Sequence, residues 1–192
     1  MSFFEVISNL SIKVQEIVAL IGLVITLALF TLQQRRLVKV QKQQTYQRLE
    51  LASNEVFRFT ASNAGVLVRY QAMEHDPSID FEKAIVENAI ADNHIYQTLN
   101  LFEMAARLRK ENFFEDEIFV SWVIWYYEML ESWYFRIKWP EVRLNYTTEM
   151  RLVFDEPIRK FHLHANDSAR GQQFFAHVAK VLEFTLEKKW LD

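Results

Sequence analysis

The chain has 192 residues, 51% of them hydrophobic and 15% aromatic, with a formal net charge of −3. That length holds one membrane segment and one domain of ordinary size, and a chain this apolar offsets its ordering entropy by burial, which excludes a disordered polymer. Three glycines, three prolines and no cysteine exclude disulfides and a thiolate nucleophile, and with few β-branched stretches that alternate they point to an all-α fold.

The first feature in chain order is the stretch EIVALIGLVITLALFTLQQRR, Glu16 to Arg36. From Ile17 to Gln34 it carries eighteen residues without a charge. At the α-helical rise these make a helix of about 27 Å, close to the hydrocarbon thickness of a bilayer. A cleavable leader calls for a basic n-region and a small-residue cleavage site. The opening MSFFEVISNLSI has no basic residue, and the run is followed by QQRRLVKVQKQQ. A buried helix of a soluble bundle is the competing reading of the same apolarity. The flank argues for a span instead: Arg35, Arg36, Lys39 and Lys42 come after the run and Lys13 alone precedes it closely. That asymmetry is the positive-inside signature, and it predicts an external N-terminus and a cytoplasmic C-terminal domain at a bacterial inner membrane. The expected division is residues 1–36, a short tail and a transmembrane helix spanning about 16–34, and residues 37–192, a cytoplasmic bundle of about four helices.

The charge steps along the chain. Residues 35–73 hold seven basic and two acidic side chains, whereas residues 74–192 hold fourteen basic and twenty-one acidic. LVKVQKQQTYQRLELASNEVFRF contains no helix breaker, so the spanning helix is expected to continue past the membrane surface, its basic stripe against anionic headgroups. A coiled coil is not sustained there, because the heptad positions after Leu37 and Val40 fall on Gln44 and Gln47. Gly22 and Thr26 are spaced for a close helix–helix contact.

Three or four further helices are expected. SNAG at Ser62–Gly65 bends or interrupts the first, and HDPSID at His75–Asp80 closes it. Ser78 or Asp80 then caps a helix to about Lys110, with Ile95, Leu99, Phe102 and Ala106 on one face and its last turn, RLRK, suited to the helix dipole. Glu115, Asp116 and Glu117 open a helix expected over 115–139, which Pro140 ends or kinks. Its core face carries Phe119, Trp122, Val123, Tyr126, Met129, Leu130, Trp133 and Ile137. Apolar residues lie on its other face too, which makes it central in its domain or, alternatively, partner-facing through Trp125, Tyr127, Phe135 and Trp139. Residues 141–166 are the least patterned, with a short helix opening in Asn145–Met150 and Pro157 interrupting the chain shortly after Phe154. A last helix begins near Asp167 or Ser168 and places Phe175, Val178, Leu182 and Leu186 on one face.

Glycines at 22, 65 and 171 alone build no phosphate loop, dinucleotide fingerprint or nucleophile elbow, and no cofactor is expected. None of the five histidines stands after a Glu at the spacing of a helical carboxylate di-metal site. The remaining metal candidates are His162 and His164 with Asp167 and His177, a set that needs an extended backbone because side chains two apart diverge on a helix. Glu128 and Glu131 lie one turn apart but read as a solvated edge, and Glu103 is placed to pair with Arg107. The acidic C-terminal region gives no footprint for nucleic acid.

The pattern Leu99-Asn100-x-Phe102-Glu103, the acidic turn Glu115–Glu117 and Trp122, together with QRLELASNEVFRF, resembles bacterial families of unknown function that join an N-terminal membrane helix to a cytoplasmic helical domain. The resemblance covers half the chain and implies an architecture, with no activity or site residue attached. The expected function is a non-enzymatic, membrane-anchored scaffold or protein-interaction module, with the bilayer and either another protein or a second copy as partners. The alternatives are a membrane-perturbing effector acting by self-association of its span and, third, a metal-dependent enzyme.

Overall fold

The computed structural model describes residues 3–72, 84–113, 115–163 and 167–185. Among them there are seven α-helices and no strand, so the fold is all-α. The chain divides into two compact units, residues 1–45 and 46–192, and helix α1 (Phe3–Ser62) contributes to both.

The first unit is helix alone. Its large apolar side chains from Ile17 to Leu32 all stand more than half exposed. The hydroxyls of Thr26 and Thr31 donate to the carbonyls of Gly22 and Leu27, each at 2.8 Å, so the polar groups of this stretch are satisfied within the helix. A Cβ on Gly22 would meet nothing within 4 Å among the described residues.

The second unit opens with the end of α1, whose Leu49, Ser53 and Val56 are buried. The expected interruption at SNAG is present. Asn63 ends α1, its side-chain amide donating to the Phe59 carbonyl at 2.8 Å, and α2 (Ala64–Ala72) comes next. Helix α3 (Ile85–Lys110) begins inside the expected range, and the caps expected at Ser78 and Asp80 lie outside the described residues. It ends in a Schellman motif: Asn112 has φ 59°, its N–H donates to Arg109 and the Phe113 N–H donates to the Leu108 carbonyl at 2.9 Å.

The helix expected over 115–139 is two helices, α4 (Asp116–Glu131) and α5 (Trp133–Val142). The break falls at Ser132, not at Pro140. Ser132 leaves the helical region at ψ 119°, and its hydroxyl accepts from the Phe135 N–H at 3.5 Å, capping α5. The carbonyls left without a helical partner at the end of α4 are taken by the buried Arg136, whose Nη1 donates to Leu130 at 3.0 Å and to Glu131 at 2.6 Å. Pro140 sits in the last turn of α5, where a missing N–H removes one bond and the helix runs on to Val142. Pro157 likewise sits in the last turn of α6 (Thr148–Lys160) and does not interrupt it. Thr147 caps α6, its hydroxyl accepting from the Met150 N–H at 3.4 Å. Glu103 does not take up the expected Arg107; its carboxylate accepts the Thr147 N–H at 2.8 Å, negative charge at a helix N-terminus.

Helix α7 (Asp167–Val181) begins where the sequence places it and ends in a second αL turn, with Glu183 at φ 55° and Phe184 N–H donating to the Ala179 carbonyl at 3.0 Å. Phe174, Val178 and Phe184 are buried, Phe175 and Leu182 half-buried, and Leu186 lies outside the described residues. Helix α4 is the centre of the unit, packed against α3, α5, α6 and α7. Its Tyr126 is fully buried against Phe102, ring centroids 3.8 Å apart, and donates its hydroxyl to the Phe102 carbonyl at 2.5 Å. A second aromatic knot joins Phe135, Trp139 and Phe154, with Trp139 donating to Asp155 at 2.8 Å.

Candidate functional site

Two features of the chain have chemistry to spare. The first is the stretch of α1 within residues 1–45. It is the one helix among the described residues long and apolar enough to cross a membrane, and none of its apolar window is covered by protein. The basic residues Arg35, Arg36, Lys39 and Lys42 come after that window on the same continuous helix. A helix in the core of a soluble bundle hides such a window; here eleven large aliphatic or aromatic side chains, from Ile17 to Leu32, face outward.

The second feature is a cleft in the 46–192 unit, formed where α1, α2, α3, α4 and α5 meet, with a cavity of about 200 Å³. Its walls are mostly apolar and aromatic: Phe57 and Trp125 lie with ring centroids 4.2 Å apart, and Tyr70 packs edge-on against Tyr134 at 4.8 Å. The polar groups of the lining are largely committed. Tyr70 donates to Asn88 at 2.5 Å, Tyr134 to Asp92 at 2.8 Å, and the hydroxyls of Thr60 and Thr98 to the carbonyls one turn back. Burial pushes the Tyr134 phenol well above its ordinary value, reinforced by the hydrogen bond to Asp92. His94 differs. It is half-buried, burial lowers its pKa so that the neutral imidazole is favoured, and among the described residues no group bonds to its ring.

Among the described residues, those singled out by sequence do not assemble into one site. Phe135 and Trp139 are not partner-facing: at 0% and 2% exposure they are core, because the break at Ser132 turns α5 inward. Trp125 and Tyr127 are half-buried and pack against the core, Trp125 in the cleft wall and Tyr127 beside Phe174 and Phe175. Burial, and next the hydrogen bond to Glu131, push the Tyr127 phenol up to about 12. His162 is exposed on a 3-10 turn, Phe161–Leu163, while His164 lies outside the described residues, as does the side chain of Asp167. The His177 ring bonds through Nε2 to the Leu152 carbonyl at 2.8 Å, which commits that nitrogen as a donor and removes it from metal ligation. Among the described residues no cluster of three or more metal-ligating side chains occurs. Glu128 is exposed on the cleft rim, whereas Glu131 lies 3.4 Å from Arg170, so the two carboxylates are not a working pair.

Sequence reasoning missed His94, although a signal exists: it lies one turn from both Ala91 and Thr98, on the edge of the α3 face that carries Ile95 and Leu99. It also missed Asp155, which accepts from Trp139 and from Arg143 at 3.0 Å. Burial works to raise that carboxyl, but the hydrogen bonds from Arg143 and Trp139 outweigh it and hold the pKa below its ordinary value. Comparison with protein-family models, curated proteins and solved structures finds no match to the chain.

Proposed function

We propose that the chain is a single-pass membrane protein whose helical unit, residues 46–192, is held at the cytoplasmic face of a bacterial inner membrane as a non-enzymatic interaction module. The observation that carries this reading is the bare apolar window of α1, Ile17 to Leu32, exposed along its whole length. In water such a surface is unfavourable; in hydrocarbon the same eleven side chains favour insertion by about 3–7 kcal/mol in total. Arg35, Arg36, Lys39 and Lys42 supply the orientation, N-terminus outside. What supports a binding rather than a catalytic role is the commitment of Arg136, Asp155, Glu103 and His177 to helix ends, carbonyls and ion pairs.

The test is alkaline carbonate extraction of membranes from expressing cells, for the wild type and for Ile25→Arg. The wild type is expected to stay in the pellet. A charge at the centre of the window opposes insertion by about 3–4 kcal/mol, so the variant is expected to shift toward the soluble or aggregated fraction. Complete release of the wild type by carbonate refutes the anchor. The chain has no cysteine, so single cysteines introduced near either end report orientation without background, and labelling of the C-terminal one from outside refutes the proposed topology.

A further inference from the structure

The cleft between α1 and α5 has the features of a small-molecule site: a concave, mostly apolar enclosure with a polar group placed to orient an occupant. Its cavity is about 200 Å³. An engineered apolar cavity of about 150 Å³ takes benzene, so the volume suits one or two fused rings. Phe57 and Trp125, packed at a tilt with ring centroids 4.2 Å apart, give the lining aromatic surface, and Ile95 and Met129 give it aliphatic surface. The imidazole of His94 lines the same space and finds no protein partner among the described residues. The ring nitrogens of His94 remain open to solvent, and an occupant carrying one N–H or O–H takes the place of water there. Glu128, exposed on the rim, repels an anion, and the apolar walls disfavour a full positive charge.

We propose that this cleft binds a neutral one- or two-ring aromatic molecule that carries a single N–H or O–H, hydrogen-bonded to the His94 imidazole and stacked against Trp125. This site stands independently of the membrane anchor, since every lining residue belongs to the 46–192 unit.

The test is titration of the full-length protein in lipid nanodiscs with indole and with indene, which has the same two rings but no N–H. The readout is the methyl signal of Met129 in protein labelled at the methionine methyls, with Met150, buried outside the cleft lining, as the internal control. Indole is expected to shift Met129 saturably and to leave Met150 in place, with an affinity about 3- to 10-fold above that of indene, the value of one net hydrogen bond. The variant His94→Leu is expected to lose that preference while still binding indene. The wild-type comparison of the two ligands stands even if that variant fails to fold. No saturable shift at Met129, equal shifts at Met129 and Met150, or equal affinities for indole and indene in the wild type each overturn the proposal.

Discussion

Arg136→Met is the substitution that most directly tests how the two central helices are joined. Arg136 is 8% exposed, and its guanidinium donates to two α4 carbonyls and stacks on Phe161, 3.7 Å from the ring centroid. Methionine keeps most of the stem and removes all three interactions. Hydrogen bonds from a charged donor contribute about 1.5–3 kcal/mol each and a desolvated cation–π contact about 2 kcal/mol. Part of this returns as water reaches the freed carbonyls, which leaves a loss of about 4 kcal/mol. For a unit of this size that lowers the melting temperature by about 8–16 °C. All five tryptophans lie beyond residue 45, so tryptophan emission during thermal unfolding in mild detergent reports the second unit without interference from the anchor. Arg136→Lys keeps the charge without the planar fork and is expected to recover less than half of the loss. A loss below about 1 kcal/mol for Arg136→Met, or full recovery by lysine, refutes the view that this guanidinium holds the α4–α5 corner.

Gly171 sits inside α7 without a positive φ, and a Cβ there would make ordinary contact at 3.6 Å with the Tyr127 ring; Gly171→Ala is therefore expected to stabilise the unit by about 1 kcal/mol, read as a raised midpoint in urea. Glu183 holds φ 55° while Arg109 bonds to its backbone carbonyl at 2.9 Å, so Glu183→Gly relieves the αL strain and keeps the contact, with an expected gain of about 1 kcal/mol in the same assay. His94 has a folded pKa lowered by burial, with Glu128, Tyr70 and Tyr134 the other titratable groups lining its cleft. Above the unfolded value both states are neutral there and His94 contributes nothing. As pH falls below it the unfolded chain binds the proton first, so stability drops until the folded pKa is passed. Unfolding midpoints measured from neutral to mildly acid pH are expected to fall further for the wild type than for His94→Gln, and parallel curves contradict this.

The sequence by itself determined the helical class, the apolar window of α1, the interruption at SNAG, and the starts of α4 and α7. These are set by neighbours within a turn or two: few glycines and prolines, apolar spacing at the helical period, acids at an N-terminus. Residue spacing also identified the buried face of α4, because a central helix is apolar on most of its circumference. Only the tertiary structure decided that the aromatic run breaks at Ser132, since the break depends on Arg136 folding back onto the carbonyls it frees. The same holds for Glu103, whose nearest cation in sequence is Arg107 but whose carboxylate caps a helix that begins some forty residues later. The inward direction of Phe135 and Trp139 comes from that corner, because it is fixed by the turn rather than by the pattern leading into it. The cleft is the furthest from the sequence: five helices each contribute a part of its wall, and nothing local marks where they converge around His94.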